Sequence, residues 1–283
     1  MNRMFRFGLL VFVLCSGLGY LSPRGWTQGG NLALPDSPVP SSESSRRQAL
    51  ENPVTREATW KSIPGDFLYD QKAIWWHFPT QLAKGRHWVP ILAVTGVTAG
   101  LIVADPHVAP YFRKHAGNLD DLNDTFDPVI TTGMVISVPA GLMISGYIRH
   151  DQRSVSSALL CAEAYGDSIV PNLAIKAITR RERPSDIPPD GDFHNTFFNG
   201  GKSPFQGSSF PSGHATGAFS VATVVAIRYQ RHRWVPWAAY TLATAVSLSR
   251  ITSSAHFPSD VFLGAAMGYS IARFQVLRPR PQH

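Results

Sequence analysis

Three short motifs place reactive side chains at fixed spacings in this 283-residue chain. They are Lys176-x6-Arg183-Pro184, Pro211-Ser212-Gly213-His214 and Ser249-Arg250-x5-His256-x3-Asp260. Their main reactive groups are three cations, two histidines and one carboxylate, in a chain in which only 16% of the residues are charged. Such a basic cluster suits a phosphate dianion, because an arginine can bind two of its oxygens in a fork while a lysine acts as a point charge. The combination indicates a site that grips a phosphate group and transfers it through a histidine.

The first motif combines two cations at helical spacing. Lys176 and Arg183 are seven residues apart, which is two helical turns, so we expect both side chains on one face of a helix. Arg180 shares that face, and Pro184 is expected to end the helix because a proline disfavours the α conformation in the preceding residue. A basic helix end stabilised by its own dipole would show the same pattern. The presence of the other two motifs favours phosphate binding.

The second motif forms a turn ahead of an apolar stretch. Pro211 and Gly213 punctuate the chain, and the apolar residues that follow predict a helix beginning near His214. Helix N-termini present unpaired backbone N–H groups and the positive end of the helix dipole, so they bind anions. Gly213 allows the backbone to approach a phosphate closely, and the Ser212 hydroxyl can donate a hydrogen bond to it. His214 then lies beside the group that leaves the phosphate.

The third motif pairs a histidine with a carboxylate. His256 and Asp260 are four residues apart around Pro258, a residue type that favours the first turn of a helix. Asp260 can then accept a hydrogen bond from one imidazole nitrogen, which fixes the tautomer and leaves the other nitrogen free for attack. Arg250, at the end of the preceding apolar stretch, can complete the set of phosphate ligands.

In this order and with these spacings, the motifs resemble the superfamily of type 2 phosphatidic acid phosphatases, bacterial class A acid phosphatases and vanadium haloperoxidases. The resemblance covers about residues 89–275. It implies that His256 becomes a transient phosphohistidine, which water hydrolyses, and that His214 protonates the departing oxygen as a general acid. Asp260 would orient His256, and the phosphate-binding residues would be Lys176, Arg183, Ser212, Gly213 and Arg250.

Apolar segments predict the fold that must position these residues. Six of them follow residue 88, and they span residues 89–104, 129–148, 154–175, 214–227, 234–249 and 261–272. Their length and lack of alternation favour helices over strands. We therefore predict an all-α bundle of about six core helices, as the resemblance implies. The expected domains are a signal peptide or N-terminal anchor (1–22), a Pro/Ser-rich linker (23–58), an aromatic-rich helical extension (59–88), the phosphatase domain (89–275) and a basic tail (276–283).

Loop charges favour membrane association. Segment 129–148 carries no charge and is long enough to span a bilayer. If the six segments alternate, the basic loop residues lie on one side, which is the positive-inside pattern and places the motifs on the outer side. These residues are Lys84, Arg86, Arg149, Arg153, Arg228, Arg231, Arg233, Arg273, Arg278 and Arg280.

Two features oppose this topology. A cleaved signal peptide would leave residues 23–88 outside, whereas this topology places residues 84–88 inside. The mean hydropathy of −0.05 is also low for a polytopic protein. A soluble periplasmic bundle is therefore the alternative. The extension 59–88 suits either an interfacial helix on a bilayer or a helix packed on the bundle.

Charge and ligand patterns narrow the partners. The net charge of +7 suits anionic substrates or an anionic membrane, whereas the scattered arginine pairs argue against nucleic acid. The two cysteines lack zinc-ligand spacing. Asp190, Asp192 and His194 superficially resemble a metal motif but lack convergent further ligands. We therefore expect hydrolysis without a metal or cofactor.

The predicted function is hydrolysis of phosphomonoesters or pyrophosphates outside the cytoplasm. A lipid substrate is favoured, such as phosphatidic acid, an isoprenyl pyrophosphate or a lipid A phosphate, because the bundle is apolar and the extension aromatic. A soluble non-specific acid phosphatase is the main alternative. A vanadate-dependent haloperoxidase is a remote alternative. A non-enzymatic lipid-binding protein is another, because it would not require both histidines and Asp260.

Overall fold

The structure is a computed structural model that describes residues 56–115, 125–200 and 208–279. The predicted signal peptide or anchor, and all of the predicted linker up to residue 55, lie outside these ranges. Within them the chain is helical and contains no strand, so the all-α prediction is confirmed.

The helices follow the predicted apolar segments. In chain order they are α1 (Ile63–Lys72), α2 (Phe78–Ala83), α3 (Trp88–His115), α4 (Pro128–Arg149), α5 (Gln152–Thr179), α6 (Gly213–Arg228), α7 (Trp234–Thr252) and α8 (Pro258–Ile271). A π-helix (Ala73–His77) joins α1 to α2, and another (Ala272–Val276) extends α8. Each of the six apolar segments coincides with one of the helices α3–α8. Helix α3 runs further than predicted because it continues through Pro106 and Pro110.

Polar side chains cap the helices that begin near the motifs. Asp127 accepts a hydrogen bond from the amide of Val129 at 2.8 Å where α4 begins. Ser212 accepts one from the amide of Ala215 at 3.4 Å where α6 begins. These caps satisfy backbone N–H groups that have no partner inside the helix.

The spacing of the first motif predicted that Lys176, Arg180 and Arg183 lie on one helix face, and this prediction is wrong. Helix α5 ends at Thr179, and Arg180 adopts a left-handed conformation with φ of 41°. Arg183 follows in extended conformation, with φ of −85° and ψ of 149°, because Pro184 disfavours a helical residue before it. Lys176 therefore reaches the site from a helix end and Arg183 from a loop, while the side chain of Arg180 is exposed.

Helix α6 packs against α5, α7 and α8. Its contact with α8 is closest at Gly264 and Gly268. A β-carbon there would lie 2.5 Å from the carbonyl oxygen of Ser212 and 2.1 Å from that of Thr216, so only glycine permits this approach. The N-terminal ends of α6 and α8 are thereby held side by side, and the Ser212 amide donates to the carbonyl oxygen of Asp260 at 2.9 Å.

Helices α3 and α4 differ from the rest of the bundle in their exposure. Val89 and Val129 are each 79% exposed and Ile148 is 74% exposed, whereas α5 and α6 bury Leu160 and Val224 completely. Among the described helices, α3 and α4 are the two that are long and apolar enough to cross a membrane, and little of either is buried. The extension packs on the bundle at α1, where Gln71 donates to a carboxylate oxygen of Asp167 in α5 at 2.8 Å.

Candidate active site

The three motifs meet at the end of the bundle where α4, α6 and α8 begin and α5 and α7 end. The ammonium of Lys176 donates to the carbonyl oxygen of Ser208 at 2.7 Å, just ahead of the second motif. Nε2 of His214 lies 3.3 Å from the Thr132 hydroxyl and 3.4 Å from the carbonyl oxygen of Pro128, both in α4. The fold therefore brings together all three motifs, which are distant in sequence.

His256 and Asp260 are buried neighbours. Nδ1 of His256 lies 3.5 Å from Oδ2 of Asp260, which is at the outer limit of a hydrogen bond. In the described part of the chain, no other acceptor bonds this nitrogen. The same Asp260 oxygen accepts hydrogen bonds from the Ser209 hydroxyl at 2.7 Å and from the Phe257 amide at 2.8 Å. Asp260 is thus fixed, and its negative charge favours the tautomer of His256 that carries its proton on Nδ1.

Burial keeps His256 neutral. It lowers the pKa of the imidazole to about 4, against the opposing effect of Asp260, and the charges of Lys176 and Arg183 lower it further. A neutral imidazole with its proton on Nδ1 has a free lone pair on Nε2. This nitrogen is the one able to act as a nucleophile.

Three cations surround the site, and we call Lys176, Arg183 and Arg250 the cage. Burial lowers the pKa of Lys176 to about 8, although Asp260 opposes this shift. Nε of Arg183 and Nη2 of Arg250 are buried and have no hydrogen-bond acceptor among the described residues. Buried guanidinium donors normally have acceptors. Their state here suits a bound anion.

His214 lies within reach of the charges of the whole cage. Burial lowers its pKa, and Arg250, Arg183 and Lys176 lower it further, while the Pro128 carbonyl opposes the shift. In the ligand-free site His214 therefore favours its neutral form. An anion bound in the cage would offset these positive charges and favour the imidazolium.

The turn before α6 has the features of an anion site. Ser212 is buried, and its hydroxyl oxygen accepts from the Ala215 amide, which leaves the hydroxyl proton free to be donated. A β-carbon on Gly213 would meet only Oδ1 of Asn172, at 3.9 Å. Gly213 is thus not required by packing within the described protein, so its role in close approach of a phosphate stays a prediction.

The sequence patterns did not identify Arg181 as a residue of the site. It is buried, and its guanidinium pairs with Asp260 at 2.7 Å and with Asp105 of α3 at 2.8 Å. Helical spacing favoured its neighbour Arg180, but the left-handed turn at Arg180 directs the following residue inward. The adjacent arginines were a signal for this residue. Nothing in the spacing pointed to Asp105, which is 76 residues away.

A second carboxylate cluster lies away from the motifs. Asp70, Glu163 and Asp167 are buried, and one oxygen of each lies within 4.8 Å of the others, a geometry that could hold a metal ion. Its known partners are Arg56 for Glu163, Gln71 for Asp167 and Gln275 for Asp70. Asp167 lies nine residues before Lys176 on α5, about 13 Å along the helix, so this cluster is not part of the cage. The expected absence of a catalytic metal stays a prediction.

The loop that superficially resembled a metal motif is exposed. Asp190 forms an ion pair with Lys114 at 3.7 Å and is almost fully accessible to solvent. A carboxylate oxygen of Asp192 accepts from the His194 amide at 2.8 Å, as in an ordinary turn. These residues form no group of metal ligands in the described structure.

Comparison with known proteins gives matches to the part of the chain that carries the motifs. The chain is 44% identical over 62 residues to the lipid A 1-phosphatase of Porphyromonas gingivalis, an alignment that covers 22% of this chain and 14% of that protein. It is 39% identical over 67 residues to the bacitracin transport permease protein BcrC of Bacillus licheniformis, which covers 24% of this chain and 32% of that protein. The chain thus spans well under half the length of either relative.

A solved structure and a sequence family also match. The structure is that of a transmembrane PAP2 type phosphatidylglycerolphosphate phosphatase from Bacillus subtilis. The match covers 76% of this chain and 92% of that chain, with 19% identity and a TM-score of 0.38. The sequence model of the PAP2 superfamily matches residues 157–281. These residues contain all three motifs, so the match confirms the resemblance to this superfamily that the motifs predicted.

Proposed function

We propose that this protein is a phosphatase that hydrolyses lipid phosphomonoesters or pyrophosphates through a phosphohistidine on His256, at the outer face of a membrane. One observation carries the proposal. Buried guanidinium donors of Arg183 and Arg250 lack acceptors within the described structure, next to a histidine that burial keeps neutral. This combination suits a phosphate held by the cage and attacked by His256.

The proposed reaction has two steps. In the first, Nε2 of His256 forms a bond to phosphorus, the bond to the leaving oxygen breaks, and His214 gives that oxygen a proton. In the second, water attacks phosphorus and gives a proton to His214, the N–P bond breaks, and inorganic phosphate is released. Asp260 stabilises the positive charge that develops on His256. The cage stabilises the phosphoryl oxygens, and such preorganised charge is usually the largest catalytic contribution.

An apolar groove supports a lipid substrate. It lies between α4, α6 and α7, has a volume of about 250 Å³ and is lined only by apolar residues, including Met134, Val138, Ala218, Leu242 and Val246. Ala218 follows His214 by one helical turn, and Val246 precedes Arg250 by one turn. From there the groove continues about 18 Å along α7 to Trp234. A hydrocarbon chain attached to a phosphate in the cage would fit this groove, and one relative is named a lipid A 1-phosphatase.

The test is an assay of the purified, detergent-solubilised protein in EDTA. We expect release of phosphate from phosphatidic acid, isoprenyl pyrophosphate or lipid A, and inhibition by vanadate, which would occupy the cage. Acid-sensitive, base-stable phosphate should accumulate on the enzyme when turnover is quenched, because an N–P bond has this stability. His256→Ala should abolish both signals.

A matched control separates nucleophile loss from general damage. His232 is an exposed histidine in the loop between α6 and α7, at the opposite end of the bundle, so His232→Ala should retain activity and the phosphoenzyme. Strict dependence on an added divalent metal, or substantial activity in His256→Ala, would overturn the proposed mechanism. Hydrolysis of water-soluble phosphomonoesters alone would overturn the lipid assignment.

A further inference from the structure

Arg181 occupies the space behind the His256–Asp260 pair. Its Nη1 donates to Oδ1 of Asp260 at 2.7 Å and to the Ser259 hydroxyl at 2.6 Å, and its Nη2 donates to Oδ2 of Asp105 at 2.8 Å. Its Nε donates to the Thr196 hydroxyl at 3.0 Å. All of these side chains are buried. The guanidinium is thus held on three sides and presents one edge to the carboxylate of Asp260.

Aromatic rings fix the plane of this guanidinium. Its central carbon lies 3.9 Å from the centre of the Phe257 ring and 4.5 Å from that of Phe197. Stacking of this kind is favourable for arginine and restricts rotation of the planar group. Phe257 directly follows His256, so the ring that packs on Arg181 belongs to the segment that carries the proposed nucleophile.

Asp105 extends the contacts to α3. It also accepts hydrogen bonds from the hydroxyl of Ser259 and, at 3.3 Å, from the Ser259 amide in the first turn of α8. Asp105 therefore bonds both Arg181 and the turn that carries Asp260. It lies outside residues 157–281, the part of the chain that matches the superfamily.

Charge supports a role beyond packing. Burial alone would raise the pKa of Asp260, but Arg181, with help from His256 and Ser209, holds that pKa below its ordinary value. The charged groups that act on His256 itself are Asp260, Lys176 and Arg183. Arg181 is thus the cation that keeps the partner of the nucleophile ionised.

We infer that Arg181 and Asp105 are positioning residues for the reaction. Arg181 holds the Asp260 carboxylate against Nδ1 of His256, and Asp105 holds Arg181 in place from α3. The inference rests on the proposed function, since it assigns how the proposed nucleophile is oriented. It also makes α3 part of the catalytic machinery.

The test compares Arg181→Met, Arg181→Lys and the double variant Asp105→Asn/Arg181→Met with the wild type. Outer-shell partners of metal-bound histidines are worth about 10–100-fold, and we expect a loss of kcat on this scale in Arg181→Met. The acid limb of the pH profile of kcat/KM should also move to higher pH. Loss of the cation allows the buried Asp105–Asp260 pair to take up a proton, and that proton must be released at a higher pH before Asp260 can orient His256.

Two variants distinguish positioning from structural support. Arg181→Lys keeps the positive charge, so its acid limb should stay at the wild-type pH while kcat falls through loss of the fork. The double variant removes one positive and one negative charge, so its acid limb should return toward the wild-type pH. Arg180→Met is the matched control, because it removes the same charge from the adjacent exposed residue and should leave the profile unchanged. Variants are compared only if their thermal unfolding remains cooperative.

A second readout does not depend on turnover. Nitrogen chemical shifts of ¹⁵N-histidine-labelled protein report which nitrogen of His256 carries the proton, with His256→Ala identifying the resonance. We expect the Nδ1–H tautomer in the wild type and in Arg181→Lys, and a mixture of tautomers in Arg181→Met. The inference would be overturned if folded Arg181→Met kept both the wild-type acid limb of kcat/KM and the wild-type tautomer of His256. An inactive wild type with these tautomer changes would instead overturn the proposed function and leave the positioning role standing.

Discussion

His214 and His256 lie among the same cations, but the proposed reaction needs them in opposite charge states. Burial keeps His256 neutral, as a nucleophile requires, and its pKa of about 4 is well below physiological pH. His214 must carry a proton when the leaving oxygen departs, yet burial and the cage lower its pKa in the free site. A phosphate dianion in the cage supplies the negative charge that reverses this effect. In the proposed reaction, the bound substrate would therefore favour the protonated form of His214 that the general acid requires.

The basic limb of the pH profile should report the protonation of His214. Activity needs protonated His214, so it falls as the pH rises through the pKa of that residue. Because kcat reports on the complex and kcat/KM on the free enzyme, the basic limb of kcat should lie at higher pH than that of kcat/KM. Both profiles are measured with wild type and with His214→Ala, in which the limb due to His214 should disappear and only the loss of activity above the pKa of Lys176, about 8, should remain. Coincident basic limbs in the wild type would show that substrate does not raise the pKa of His214.

The leaving group provides a separate test of His214. An alkoxide needs a proton as it departs, whereas nitrophenolate is stable enough to leave without one. His214→Ala should therefore lose about 10²–10⁴-fold more activity on an alkyl phosphate than on nitrophenyl phosphate, which is the usual range for general acid catalysis. His256→Ala should be inactive on both. Equal losses on the two substrates in His214→Ala would assign His214 to phosphate binding or to the start of α6.

Sequence reasoning identified the cage and both histidines as candidate site residues because their residue types are reactive and their spacings are local. Arg181 and Asp105 escaped it for a physical reason. Their contact depends on the left-handed turn at Arg180 and on the packing of α3 against α8, and neither leaves a periodic pattern in the sequence. The predicted position of Arg183 on a helix face was wrong. The spacing of the motif fits a helix, but the helix ends at Thr179, four residues before Arg183.

At the level of helices, the six apolar segments predicted α3–α8, but not how closely they pack. The approach of α6 to α8 depends on Gly264 and Gly268, which lie one turn apart on the face of α8 that meets α6. This contact sets the distance between the start of α6, which carries His214, and the start of α8, which carries Asp260. The glycines were visible in the sequence, but a glycine alone does not identify the helix that it contacts.

Widening this contact should damage both stability and activity. The β-carbon of Gly268→Ala would lie 2.1 Å from the carbonyl oxygen of Thr216, so α8 must move away from α6. Overpacking of this kind typically costs about 1–3 kcal/mol of unfolding free energy. We expect a lower Tm and a lower kcat, measured in the same detergent as the wild type. Gly141→Ala is the matched control, since nothing lies within 4 Å of its new β-carbon and alanine favours a helix. A wild-type kcat in Gly268→Ala would separate this contact from catalysis.

For the whole molecule, the end of the bundle opposite the cage is basic. Exposed cations there include Lys84, Arg86, Arg149, Arg231, Arg233 and Arg273, at the start of α3, the end of α4, the loop between α6 and α7 and the end of α8. The apolar surfaces of α3 and α4 lie between this end and the cage. Positive charge at one end of apolar spans is typical of the cytoplasmic side of a membrane protein. The arrangement supports a bilayer-embedded chain with its cage outside, rather than a soluble periplasmic bundle.

The last prediction tests membrane insertion and orientation together. Two cysteine variants are made in a Cys15→Ser background, with Cys161 left in place because it is buried. Asn195→Cys lies in the exposed loop that follows α5 near the cage, and Arg231→Cys lies at the basic end. In intact cells, a membrane-impermeant maleimide should label Asn195→Cys, and it should label Arg231→Cys only after permeabilisation. The protein should also remain in the membrane pellet after an alkaline carbonate wash, because the exposed apolar faces of α3 and α4 would be stable only in lipid. A soluble periplasmic protein would instead be identified if both cysteines were labelled once the outer membrane was permeabilised and the carbonate wash released the protein from the pellet. The reverse labelling pattern with retention in the pellet would place the cage on the cytoplasmic side.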